Sequence, residues 1–219
     1  LCQNKKALQR NILIAFWDGL EIAECAGSNW HLDRYWEDYK HNCIGYINVD
    51  NPGILGTTIP GVESVKEVKD YMLELVGTKW EEKPTWCEAF KGGGDASYHG
   101  IGIPFIYFST EYTPEKLKEL NYAFFSQWLH SDQDTVDKID LDLFTRHFDF
   151  FLELCIKLSN EKIIPYNFKE VSSDINQSIQ SLFQVKGFKY EKEVAKLVAI
   201  GETFENEIKD LESYRQKLL

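Results

Sequence analysis

Apolar residues come in runs of two kinds along this chain. Asn11 to Trp17, Ile44 to Val49 and Ile103 to Phe108 are short and continuous rather than alternating. Such runs suit strands covered on both faces. Between them Leu32 to Tyr39 predicts a helix, and "VESVKEVKDYMLELVG" places Val65, Val68, Met72, Leu75 and Val76 on one helical stripe, with Gly77 as its stop. Strand, helix and strand in this order predict an α/β domain built on a mostly parallel or mixed sheet flanked by helices.

After Phe108 the pattern turns helical. Residues 141 to 158 put Leu141, Phe144, Phe148, Phe151, Leu152 and Cys155 on an apolar stripe, and Pro165 follows soon after. Residues 171 to 184 and 189 to 218 predict two more helices, the second with Val194, Leu197, Val198, Phe204, Ile208, Leu211 and Leu218 at helical spacing. No internal repeat or low-complexity linker interrupts the chain. The expected division is an α/β domain over 1–165 and a helical region over 166–219, which packs on the sheet domain or forms a homodimer through its helices.

The 219 residues are 43% hydrophobic and 14% aromatic, enough for one substantial core or a domain with an appendage. Lys plus Arg is 24 against 35 Asp plus Glu, a formal charge of −11, which argues against a nucleic-acid partner. No window has the apolar length of a membrane span, and the first residues lack the apolar core of a signal peptide. The sequence begins with Leu1, so a piece of a longer chain is expected. Cys2, Cys25, Cys43, Cys87 and Cys155 are odd in number and contain no C-x-x-C pair. They predict neither a disulfide framework nor a thiolate zinc site, and scattered thiols favour a reducing, cytoplasmic compartment over what the lone sequon at Asn176 would suggest.

Ligands of buried parallel sheets collect beyond the carboxyl ends of strands. The first run delivers Asp18 and Glu21, the second ends on Asp50, and "GGGDASYHGIGIP" precedes the third. "WLHSDQDTVDKID" then brings His130 just before a helix. Oxygen and imidazole donors of this kind suit zinc. Each residue also has an ordinary role. Glu21 fits a first-turn helix acid, Asp50 a turn start before Asn51-Pro52-Gly53, and Asp132 or Asp134 a helix N-cap. The glycines at 92 to 94 fit a plain turn, and His130 a polar surface histidine.

The order of four blocks, "RNILIAFWDGLEIAECAGSNW", "GYINVD", "GGGDASYHGIGIPFIYFS" and "LHSDQDTVDKID", resembles the second half of the zinc exopeptidase family. That family includes bacterial aminopeptidases, glutamate carboxypeptidase and the transferrin receptor. The tail from Ile164-Pro165-Tyr166 is similar to the helical region that follows the peptidase domain in the carboxypeptidase and transferrin receptor branch. The resemblance implies one or two zinc ions that polarise a scissile carbonyl and activate a bridging water. It implies Glu21 and His130 as ligands of one zinc and Asp50 as a ligand of the other. Gly93, Gly94, Asp95 and Ser97 would border the substrate pocket, with Asp18 and Asp134 as supports behind the ligands.

Two departures qualify this expectation. The family carries two adjacent acids after the first strand, a general base and then a ligand, and here the pair is Leu20-Glu21. Leucine accepts no proton, and a lost base is worth roughly 10²- to 10⁴-fold in rate. The tyrosine that precedes the last histidine in the carboxypeptidase branch is Leu129 here. The family's first metal-binding histidine and bridging aspartate lie upstream of these residues, so a complete zinc site depends on ligands outside them. What is expected is a metallopeptidase homologue acting on peptides by aminopeptidase or carboxypeptidase chemistry, impaired at Leu20. The alternative is a non-catalytic binding or scaffold module with a protein partner, as in the transferrin receptor. A cyclising acyltransferase on the same fold also needs the missing acid and ranks last.

Overall fold

Four strands form one sheet in the computed structural model, which describes residues 7–20, 23, 25–89, 94–186 and 189–218. They are β1 (Tyr46–Asn48), β2 (Ile59–Ser64), β3 (Thr85–Glu88) and β4 (Phe105–Glu111), in spatial order β1-β4-β2-β3. β1 runs parallel to β4, β2 parallel to β3, and β2 antiparallel to β4. The sheet is therefore mixed, and with its helices it makes an α/β fold. Residues Phe105 to Thr110 of β4 are all buried, as befits a central strand covered on both faces.

The chain divides into two compact units between Ile164 and Pro165. The first unit holds the sheet with α1 (Ala26–Arg34), α2 (Trp36–Asn42), α3 (Lys69–Gly77), α4 (Pro114–Glu119) and α5 (Leu141–Asn160). Side chains alternate across a strand, so Phe105 and Phe108 serve opposite faces of β4. Phe108 is wholly buried among the rings of Trp80, His147, Phe150 and Phe151. Phe105 lies near Tyr46, which stacks on Tyr98 at 4.7 Å, and this second cluster gathers Leu32, Ile103, Tyr39 and Trp17. α5 begins with the Asp140 carboxylate accepting from Asp142 N and Leu143 N. At its other end Arg10 donates through Nη1 to the carbonyls of Leu158 and Glu161, satisfying oxygens the helix leaves open.

The second unit contains α6 (Lys169–Ser181) and α7 (Glu191–Leu218), which pack on each other. Among the described residues of α7, Val194, Gly201 and Ile208, spaced by seven, are the buried positions. Gly201 lies against the Asn176 side-chain amide, which leaves no room for a Cβ. Among the described residues no helix is long and apolar enough to cross a membrane.

Several expectations are corrected. Asn11 to Trp17 joins no strand ladder, and Leu13 and Ile14 are 66% and Phe16 95% exposed. An apolar run supplies only the faces of a strand, while the ladder needs a partner backbone. The helix expected over Leu32 to Tyr39 is two short helices broken at Tyr35. Val62 to Ser64, read as the start of a helix, belongs to β2; the stripe Val65, Val68, Met72, Leu75 and Val76 is buried as expected, with α3 starting later. In α5 the buried face is His147, Phe150, Phe151, Leu154 and Leu158, not the stripe through Leu141, Phe144 and Phe148, which are exposed. In α7, Leu197, Phe204, Leu211 and Leu218 are likewise exposed.

Candidate functional site

The first candidate acids follow the Asn11 to Trp17 run, where the backbone is tied to the start of α1. Gly27 N donates to Asp18 O at 3.2 Å, Ala26 N to Gly19 O at 3.3 Å, and Cys25 N to Leu20 O at 3.1 Å. These carbonyls satisfy N–H groups that a helix start leaves open. The approach is close: a Cβ on Gly27 would lie 2.8 Å from Asp18 O, so glycine is required there. The Asp18 side chain turns back to its neighbour, accepting from Gly19 N at 2.8 Å. Leu20 is half-buried, and Glu21 lies outside the described residues.

Asp50 is half-buried just beyond the end of β1 and opens the loop Asn51 to Gly56. That loop is fixed to the start of α5. Asp140 N donates to Gly53 O at 2.9 Å, Leu55 N to Lys138 O at 3.0 Å, and Ile54 pairs with Ile139 in an antiparallel bridge. Gly53, at φ 80°, sits where a Cβ would meet Phe144 Cβ at 2.8 Å. Gly53 N donates to Nδ1 of His147, a fully buried histidine that spacing did not single out. Its one visible signal was position, on the α5 face that Phe150, Phe151 and Leu154 also occupy. Burial, then the Arg146 charge, push the imidazole down to about 4, so the ring is neutral at pH 7.

Gly93 lies outside the described residues, and Gly94 and Asp95 open the 3₁₀ turn Gly94–Ile101 before β4. Ser97 Oγ is 2.8 Å from Ser28 Oγ, which ties this turn to α1. Beside it the Tyr98 hydroxyl is 2.9 Å from His31 Nδ1, and burial pushes the phenol well above its ordinary range. Ser97 and Tyr98 thus join the turn to α1 and to the Tyr46 cluster, a joint that the glycine count alone did not reveal.

His130 is exposed and adopts φ 60°, in a segment where Asn121, Tyr122 and Ser126 also have left-handed φ. The turn around it is closed by Ser131, whose N and Oγ both donate to Trp128 O. Asp134 is exposed in the following turn, its N–H donating to Ser131 O. Neither Asp132 nor Asp134 caps a helix. The cap of α5 is Asp140, further along, because the Val136–Lys138 turn intervenes.

Among the described residues no three His, Cys, Asp or Glu side chains gather into a group that could hold a metal ion. Catalytic zinc takes three protein ligands. Asp50 and His130 alone do not make up such a set, so no chemical step through zinc follows from the described residues.

No family model matches this chain, and no curated protein matches it. Among solved structures it is similar to an aminopeptidase from Aneurinibacillus sp. strain AM-1, at 18% identity and a TM-score of 0.46. The match covers 63% of this chain and 32% of the aminopeptidase, so this chain spans about a third of that protein's length.

Proposed function

We propose that this chain is a zinc-exopeptidase homologue, of the aminopeptidase or glutamate carboxypeptidase kind, whose peptide hydrolysis is impaired. The reading rests on one observation, the pair Leu20-Glu21 in the block that begins the ordered resemblance. A carboxylate suited to bind metal is kept, while the adjacent proton acceptor is replaced by a hydrocarbon. In this reading Glu21, Asp50 and His130 are the donors this chain contributes, and further ligands come from elsewhere in the protein. The Gly93 to Ser97 segment borders the peptide-binding side, and Asp18 and Asp134 are supports.

The test is Leu20→Glu in the full-length protein, assayed for zinc content and for cleavage of short peptides. The expected result is zinc bound in both forms, with hydrolysis rising by about 10²-fold or more in the variant. Zinc bound without any gain in turnover refutes a loss confined to the base. Absence of zinc in both forms refutes the metal-site reading.

Exposed apolar side chains favour a second reading, a binding or scaffold module. Phe16, Leu141, Phe148 and Ile200 are largely open, and exposed apolar surface of this kind often marks contact with a protein partner, or with a second copy through the C-terminal helices. This reading expects no turnover with any peptide in either form.

A further inference from the structure

His147 accepts the Gly53 N–H on Nδ1 at 3.3 Å. Its neutral ring must therefore carry the proton on Nε2, which faces Thr110 Oγ1 at 3.4 Å. Thr57 Oγ1 donates to Ile54 O at 2.8 Å, so it accepts from Thr110, 2.7 Å away. One buried chain of donors thus runs from α5 through β4 and back to the Asn51 to Gly56 loop. It touches that loop at Gly53 and again at Ile54.

A second proton has no place in this chain. It would sit on Nδ1, turning the acceptor of Gly53 N–H into a donor, and would leave a buried cation against the rings of Trp80 and Phe108. The charged residues on the surrounding elements do not compensate. Arg146 adds like charge, Lys79 pairs with Glu153 at 2.6 Å, Glu111 accepts from Thr85, and Asp140 caps α5. Asp50 stands at the far end of the loop.

The geometry points to His147 as an acid-released latch: protonation of its buried imidazole frees the Asn51 to Gly56 loop from α5 while the sheet stays folded. Local release is the smaller rearrangement, because the loop's other ties are one short bridge to Lys138–Asp140 and the Tyr112 hydroxyl on Leu55 O, whereas β4 is paired on both sides along its length. The sign follows from the docked imidazole titrating near 4 against about 6.5 when free. Docking has full strength above pH 6.5 and is lost as pH falls toward 4. Asp50 opens this loop, so its approach to any ligand is expected to change with the latch.

Amide hydrogen exchange by NMR at pH 7 and pH 5, corrected for intrinsic rates, tests this on the protein alone. Opening at Gly53 and Leu55 is expected to rise about 20-fold at pH 5, with Phe108 and Val62 unchanged. In His147→Gln the Gly53 and Leu55 increase is expected to vanish. Equal loss of protection at Gly53 and Phe108 would mean acid unfolding of the whole unit and would overturn the latch, as would unchanged exchange at Gly53. The wild-type comparison decides the matter even when the variant fails to fold. No metal or substrate enters the readout, so its outcome is separate from the peptidase reading.

Discussion

Replacing Gly53 by alanine adds one methyl group at a place where two separate penalties meet. The backbone is left-handed at φ 80°, and an L side chain there costs about 1 kcal/mol. The new Cβ would also lie 2.8 Å from Phe144 Cβ, 3.0 Å from Phe144 Cα and 3.1 Å from Asp140 O. Ordinary carbon contacts begin near 3.5 Å, so the first turn of α5 or the loop must move by several tenths of an ångström. The loop cannot shift freely, because Gly53 O accepts from Asp140 N and Gly53 N donates to His147. Overpacking of this kind costs about 1–3 kcal/mol, for a total near 2–4 kcal/mol. Gly56 provides the control. Its φ is 84°, but its nearest neighbour would be Tyr112 Cε1 at an ordinary 3.6 Å, so Gly56→Ala carries the backbone penalty alone, about 1 kcal/mol. Urea unfolding of the two variants beside wild type separates the terms through the midpoint shift at constant slope. Equal losses for Gly53→Ala and Gly56→Ala would refute close packing of the loop on α5.

Phe108→Ala is expected to cost about 3–5 kcal/mol in the same urea assay, because the ring is wholly enclosed, while Phe16→Ala stays within about 0.5 kcal/mol; similar losses would refute the burial contrast. Gly201→Ala alone displaces the Asn176 amide. In an Asn176→Ala background the same change is expected to gain about 1 kcal/mol of helix propensity, read as a higher thermal midpoint of the second unit. Arg10→Ala removes two bonds to the carbonyls that end α5, for an expected loss of about 1–3 kcal/mol. Arg10→Ala should also speed amide exchange in that last turn, and an unaltered rate there would count against the cap.

Periodicity located α5 but caught only the edge of its buried face: of the expected stripe Phe151 is buried and Leu152 and Cys155 are half-buried, while Leu141, Phe144 and Phe148 are exposed. Leu141, Phe144, Phe148 and Phe151 fall at helical spacing, and so do His147, Phe150, Leu154 and Leu158. The two stripes adjoin on one helix, and only the neighbour decides between them; here Phe108 of β4 and Trp80 receive the second. β2 was hidden for a related reason. Pro60 and Gly61 are residue types that weaken a strand, and Val62 to Ser64 fell within the segment read as helical, yet pairing with β4, and from Gly61 onward with β3, holds them extended. The Glu111 side chain lies over Gly61, filling the space that a side chain would occupy. Where the burial is complete on both faces, as in β4, the apolar run was sufficient on its own.

Asp50 and His130 are placed by different devices, and only part of each was visible in the chain. The spacing identified Asp50 at a strand end, but the loop beyond it is set by His147, more than ninety residues later, through bonds that no local pattern encodes. His130 owes its place to a left-handed turn closed by Ser131, a conformation that sequence favours only weakly for histidine. At Leu20 the division is clearer. The backbone carbonyl of Leu20 accepts from Cys25 N, and the carbonyls of Asp18 and Gly19 hold the next two amides, so main-chain atoms anchor this turn to α1. Substitution of the Leu20 side chain leaves all three bonds available. A change in turnover in Leu20→Glu therefore reports on proton transfer rather than on a displaced loop, provided the amides of Cys25, Ala26 and Gly27 keep their protection. Loss of that protection would assign the effect to the scaffold.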